Sequence, residues 1–265
     1  MGIYVGVNGS PKNVTSIVIG VNGVAKTVSE VYVGSGGGVK LVYEAFKPEP
    51  GETIFTSSGN FTVPKGVKKI DIFCVNGGNK GGSSSTYFFS KSNTCFRFGG
   101  QGGSGAKTVT VNGFAVTPES ILTVTVGSSG GISSVDGVST SNPGSGTVTT
   151  GASGGSGGYY KYTRSGSSTV APSNGSNGAA RYFGESNGTL YAGGGGGGGT
   201  SSFGVGGSPG GGNGGKGANR GSNGTANTGG GGGGGGNVSY PSSVSGTDYA
   251  GGSGGSGVAI IRWGN

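Results

Sequence analysis

Gly188-Thr189-Leu190-Tyr191-Ala192 runs into seven unbroken glycines, Gly193 to Gly199, and Gly224-Thr225-Ala226-Asn227-Thr228 runs into eight, Gly229 to Gly236. These two stretches decide the fold. They carry no side chains, so no apolar core can be built around them. Glycine totals 71 of 265 residues while proline totals nine, which excludes a collagen-like triplet helix. Low-complexity disorder is the other reading of such a composition. Against it stand 11 Phe and 11 Tyr, a high aromatic content for a disordered chain. The folded solution is a set of left-handed polyproline-II-like glycine helices. Such helices have no internal hydrogen bonds, so every N–H and C=O points outward to a neighbour. Without Cβ atoms the helices pack closely, and seven residues give a rod of roughly 22 Å. Each bond contributes only about 0.5–1.5 kcal/mol against the large backbone entropy of glycine. The rods therefore hold only if many of them bond on several sides at once. Interior glycines such as Gly196 and Gly232 are expected to reject any Cβ, and a loop glycine such as Gly166 to accept one.

Strand patterns flank the glycine-rich body. Ile54-Phe55, Phe61 to Pro64, Lys69 to Val75, Lys107 to Val111 and Ile121 to Val126 alternate apolar and polar residues, as does Val258 to Trp263. The reading is a β-sandwich over residues 53–126 closed by 257–263, with a glycine-rich insertion over about 130–256. Phe61 and Trp263 are expected in its core, and Phe183 and Tyr191 are expected to pack beside the rods.

Three repeats precede this domain, beginning at Ile3, Ile17 and Val31, 14 residues apart. Asn8-Gly9, Asn22-Gly23 and Gly36-Gly37 supply the positive φ that two-residue hairpin turns need. Residues 1–46 are thus expected to be a hairpin-repeat domain, with a six-stranded antiparallel meander over 3–44. One face of that sheet needs a partner. Lys47 to Glu52, with two prolines, reads as a linker to a domain over 53–265. The fold class is all-β with polyglycine-II and no α-helix, since no apolar run has helical period.

Composition restricts function. There is no His, and Asp and Glu together number nine. A Ser-His-Asp triad and a His-ligated zinc site are excluded, and no local carboxylate pair suggests glycoside hydrolysis. We expect no enzyme activity, no catalytic or metal site and no cofactor. The net charge of +8 suits solubility or an anionic surface, and no basic-aromatic cluster marks a nucleic-acid groove. No apolar stretch reaches 18 residues and no signal peptide opens the chain, so synthesis in the cytoplasm without membrane insertion is expected. Cys74 sits in a strand pattern as a small buried hydrophobe, and Cys95 sits in a loop-like segment. Whether the two pair is open.

The non-glycine connections are the candidates for binding. Residues 83–98 carry Tyr87, Phe88, Phe89, Phe96 and Arg97; residues 159–182 carry Tyr159, Tyr160, Tyr162, Arg164 and Arg181; residues 237–249 carry Tyr240 and Asp248. Tyr and Arg recur at recognition surfaces because they join apolar area to a polar handle. Read as loops on a rigid scaffold, these clusters are expected to contact a receptor. Stacking of sugars on the tyrosines, with Lys161 and Arg164 meeting anionic groups, is the expected mode.

The two glycine phrases, the closing GGSGGSGVAIIRW ending at Trp263 and the opening FTVPKGVKKIDIFCV from Phe61 resemble the glycine-rich C-terminal domain of phage and prophage tail proteins. The N-terminal repeats are similar to short repeats in minor structural proteins of phages of Gram-positive bacteria. The resemblance implies a tail-tip or tail-fibre protein of a phage, or of a contractile bacteriocin particle, located in the virion and released by lysis. It is similar, in the glycine-rich body only, to tail-fibre adhesins whose polyglycine-II sandwich displays receptor-binding loops. The partners it implies are a host cell-surface polysaccharide, wall polymer or surface protein. Residues 1–46 would bind other tail or baseplate proteins, in a homo-oligomer for which a trimer is expected. The alternative is a purely structural tail-tip protein without receptor contact.

Overall fold

A computed structural model describes residues 4–7, 10–13, 17–21, 24–28, 30–35, 38–44, 47–238 and 248–264. The chain divides into two compact units, Met1–Glu49 and Pro50–Asn265. Among the described residues there is no α-helix, and the strands form several antiparallel sheets.

In the first unit β1 (Tyr4–Val7) pairs with β2 (Ser10–Asn13), β3 (Ile17–Val21) with β4 (Val24–Val28), and β5 (Glu30–Ser35) with β6 (Gly38–Glu44). The registers Val7 to Ser10, Val21 to Val24 and Ser35 to Gly38 leave two residues at each connection, where the turn dipeptides were read. Those dipeptides themselves lie outside the described residues. Among the described residues the expected six-stranded meander is not seen: their strands make three separate two-stranded hairpins. The reason is visible in the sequence. Each repeat carries its own turn pair, whereas Val14-Thr15-Ser16 and Ser29 between repeats offer no residue suited to positive φ.

The second unit continues with β7 (Gly51–Phe55), β8 (Gly59–Thr62), β9 (Lys69–Val75), β10 (Ser85–Phe89), β11 (Thr94–Phe98), β12 (Thr108–Ala115) and β13 (Ile121–Thr125). Then follow β14 (Ser134–Val135), β15 (Val138–Ser139), β16 (Thr147–Thr149), β17 (Tyr159–Thr163), β18 (Gly166–Val170), β19 (Ala180–Arg181), β20 (Leu190–Tyr191) and β21 (Val258–Trp263). One sheet of order β16-β12-β9-β21-β7 faces a second of order β15-β14-β13-β8. Between them lie Phe61, Val63, Ile70, Ile72, Cys74, Val109, Leu122, Val124 and Ile261, with Trp263 packed half-buried at the margin. Two boundaries differ from the sequence reading. Gly51 and Glu52 belong to β7, paired with Trp263 and Arg262, so the linker ends sooner. The sandwich also runs on to Thr149, because β14, β15 and β16 complete its sheets.

The first sheet buries its other face too. Phe73, Val75, Val258 and Ile260 are covered by Phe183 and Ala192, with Tyr182 and Tyr191 alongside. Phe73 touches the rings of Tyr182, Phe183 and Tyr191 at 5.3–6.0 Å between centroids. Arg262 clamps this cap. Its guanidinium lies 4.0 Å over the Phe183 ring and bonds to both Asp71 and Glu185. Burial alone would lower its pKa, but the two carboxylates reverse the direction and hold it charged.

The glycine-rich segments form ten rods among the described residues, taken from the backbone bonds. In chain order they are 76–82, 99–106, 151–158, 172–178, 192–199, 204–209, 210–216, 219–225, 229–237 and 249–257, here rods 1 to 10. Rod 5 displays the geometry. The N–H groups of Gly196 and Gly199 donate to Gly212 and Gly215 of rod 7, and that of Gly193 to Pro209 immediately before it. Those of Gly194 and Gly197 donate to Ser176 and Ser173, and those of Gly195 and Gly198 to Gly103 and Gly100. The partner rod recurs at every third residue, and no glycine from 193 to 199 takes positive φ. That is the left-handed three-fold helix of polyproline II. The carbonyls of the same rod accept from rods 3, 6 and 9, so six rods encircle it.

Rod 9 is encircled likewise, by rods 1, 2, 5, 7, 8 and 10. The whole is a hexagonal patch in three layers: rods 3, 2 and 1, then 4, 5, 9 and 10, then 6, 7 and 8. The two unbroken glycine runs are its two interior rods. The outer rods are written differently. Rods 2 and 7 lie mid-edge and read GGQGGS and GGNGGK, whereas corner rods 4 and 8 read SNGSNG and GSNGT. A residue with a side chain stands where that side of the rod meets no neighbour. Several of these side chains seal the lattice edge. Asn174 and Asn177 accept from the N–H groups of Val205 and Ser208, and Asn223 accepts from Ser253. Rods 1 and 2 arise inside the segment read as sandwich alone, since β9 and β12 run directly into them.

Candidate functional site

The rods carry connections at two ends. At one end Val75, Ala106, Ala192 and Val258 join them to the sandwich. At the other end Ser84, Gly99 and Gly158 adjoin the segments over 85–98 and 159–170 that hold two of the aromatic clusters. The chain enters this unit at Gly51, beside Trp263, which is the end of β21 remote from the rods. The aromatic clusters therefore lie across the lattice from the entry point.

They are not loops. β10 and β11 form one hairpin, β17 and β18 another, and β11 pairs with β17 to make a four-stranded sheet. Thr, Tyr and Phe favour strands, and the two segments are held side by side by adjacent rods 2 and 3. Asn237, buried at the end of rod 9, donates to the Arg97 carbonyl at 2.7 Å and accepts from Thr200. It thereby fastens this sheet to the interior of the lattice.

The registers Tyr87 to Phe96, Phe96 to Lys161 and Phe98 to Tyr159 place Tyr87, Phe89, Phe96, Phe98, Tyr159 and Lys161 on one face. There Tyr87 meets Phe98 and Phe89 meets Phe96 edge to face, both at 5.9 Å. Phe96 and Phe98 stand parallel within 8°. Tyr87 is 57% exposed and Phe89 55%, values far outside the range of core aromatics. Tyr87, Phe89, Phe96 and Phe98 line a groove of about 340 Å³. Lys161 Nζ lies 5.5 Å over the Phe96 ring.

The opposite face holds Phe88, Cys95, Arg97, Tyr160 and Tyr162. Arg97, expected at the surface, is buried there, and Tyr160 and Tyr162 are half-buried. The expected tyrosine cluster is thus split between two faces, because successive strand residues point oppositely. Arg164 is exposed in the turn between β17 and β18, as is Lys91 beyond β10. Tyr240 lies outside the described residues. Phe98, not singled out in the expected site, was signalled beside Phe96 by the alternation Thr94-Cys95-Phe96-Arg97-Phe98.

Both cysteines are free and buried, Cys95 in β11 rather than in a loop. Desolvation by burial pushes the Cys74 thiol up to about 12, which makes it unreactive at neutral pH. Among the described residues no cluster of His, Cys, Asp or Glu is placed to hold a metal ion, and no helix is long and apolar enough to cross a membrane.

No curated protein matches this sequence. Residues 56–264, from the end of the first sandwich strand to the end of the last, match the model of the glycine-rich domain, and the chain belongs to that family.

Proposed function

We propose that the protein is a tail-tip or tail-fibre component of a phage, or of a phage-tail-like particle, and that it binds a receptor on the host cell surface. The aromatic sheet at the outer end of the glycine lattice is the adhesive element. The observation that carries this reading is the exposure of Tyr87 and Phe89 on a face that no described residue of the unit covers, across the lattice from the chain entry. Exposed aromatic patches on a rigid support mark interaction sites. The resemblance of the glycine phrases to phage tail proteins supports the virion assignment. In this reading the hairpin repeats of residues 1–46 attach the chain to the particle, the protein works as a homo-oligomer, and it has no catalytic role and no cofactor.

The test is adsorption of the fluorescently labelled full chain to a panel of bacterial strains. At least one strain is expected to bind it. The double variant Tyr87→Ser, Phe89→Ser is expected to melt as the wild type does, because exposed substitutions cost little. It should lose adsorption by about tenfold or more, the effect of removing hot-spot aromatics. Equal adsorption by the folded variant favours a purely structural tail-tip protein.

A further inference from the structure

We propose that the groove between Tyr87, Phe89, Phe96 and Phe98 takes an apolar side chain from an acidic segment of a surface protein, and not a sugar. This rests on the adhesin reading above and names its receptor class.

The walls of the groove are ring carbon. A saccharide seated there would bury hydroxyls without partners, at a cost of about 1–3 kcal/mol each. Sugar and cofactor sites place a few convergent polar groups among their apolar walls, whereas the walls of this groove expose no polar surface and Lys161 lies over the Phe96 ring. An aliphatic or aromatic side chain meets no such penalty. Its site is also formed in advance, because the rings of Phe89, Phe96, Phe98 and Tyr87 brace one another edge to face and side by side.

Charge selects what flanks that side chain. The strands of the sheet and their turns present Lys91, Lys161 and Arg164, with Arg97 buried on the other face, and contain no carboxylate. Asp248 stands at the base, next to Tyr249, whose N–H bonds to Ser84. Lys161 reaches over the groove, and Lys91 and Arg164 are exposed in the outer turns. An apolar anchor with acidic neighbours satisfies both features at once.

The experiment uses the full chain and a strain that adsorbs it. Cells are treated with proteinase K or with periodate, which destroy surface protein and surface glycan respectively. Proteinase K is expected to cut adsorption by about tenfold or more and periodate to leave it within about twofold. The variant Lys91→Glu, Arg164→Glu is expected to adsorb about tenfold less at low salt, and the difference is expected to shrink at high salt. Loss on periodate with survival of proteinase K overturns the protein class while leaving the adhesin reading intact. So does indifference to both treatments. Self-association of the free chain that vanishes in Tyr87→Ser, Phe89→Ser would mean that a second copy fills the groove, which also overturns it. Failure to adsorb to any untreated strain removes the adhesin reading and this inference with it.

Discussion

Gly196→Val and Gly232→Val are each expected to leave the second unit unfolded or aggregated at room temperature. A Cβ on Gly196 would lie 1.9 Å from the Gly204 carbonyl oxygen, and one on Gly232 would lie 2.1 Å from that of Gly252. The obstacle in both cases is backbone of a neighbouring rod, which cannot rotate aside. Moving that rod breaks bonds on its far side as well. At Gly196 the N–H bond to Gly212 and the carbonyl bond from Gly234 are at stake. Overpacking costs about 1–3 kcal/mol and each buried group left unpaired about 1–3 more. Against a typical stability of about 5–15 kcal/mol that sum is decisive. The control is Gly59→Val, where the nearest atom is the Phe55 ring at 3.8 Å. It is expected to stay within about 0.5 kcal/mol of wild type. Gly166, the control suggested by sequence, is unsuitable: space is open, but its φ of +150° favours glycine. Thermal denaturation followed by circular dichroism separates these outcomes.

Phe73→Ala is expected to destabilise the unit by about 3–5 kcal/mol, the range for a fully buried aromatic. Phe73 is wholly buried and is the contact shared by Tyr182, Phe183 and Tyr191. The cap formed by residues 180–192 leads directly into interior rod 5, so loosening it also frees the start of that rod. Urea denaturation measures the loss. A change below about 1 kcal/mol would mean that the cap is held by the lattice alone.

Much of this architecture could be read from the residues. The unbroken runs marked the interior rods because only glycine survives where every side meets backbone. The alternation in Lys69 to Val75 and Val258 to Trp263 marked the central sandwich strands. What escaped was position rather than type. Rods 1 and 2 are too rich in Asn, Lys and Gln to announce themselves, since their side chains occupy the open lattice edge. The aromatic segments passed for loops because neither hairpin contains an Asn-Gly or Asp-Gly turn. Their union in one sheet depends on rods 2 and 3 being neighbours, and no local pattern encodes that adjacency. The burial of Arg97 followed from the same pairing, which set it on the face away from the groove.

Amide hydrogen exchange at Gly193 to Gly199 and Gly230 to Gly236 tests the lattice most directly, because flexible glycine linkers and packed rods differ there by orders of magnitude. Every one of these amides donates to a partner, and they can exchange only when the patch opens. The expected result is exchange slowed by about 10⁴-fold or more relative to an unstructured glycine peptide, matching the amides of β9. Exchange within about tenfold of the unstructured rate at these positions, with β9 still protected, would contradict the ten-rod lattice.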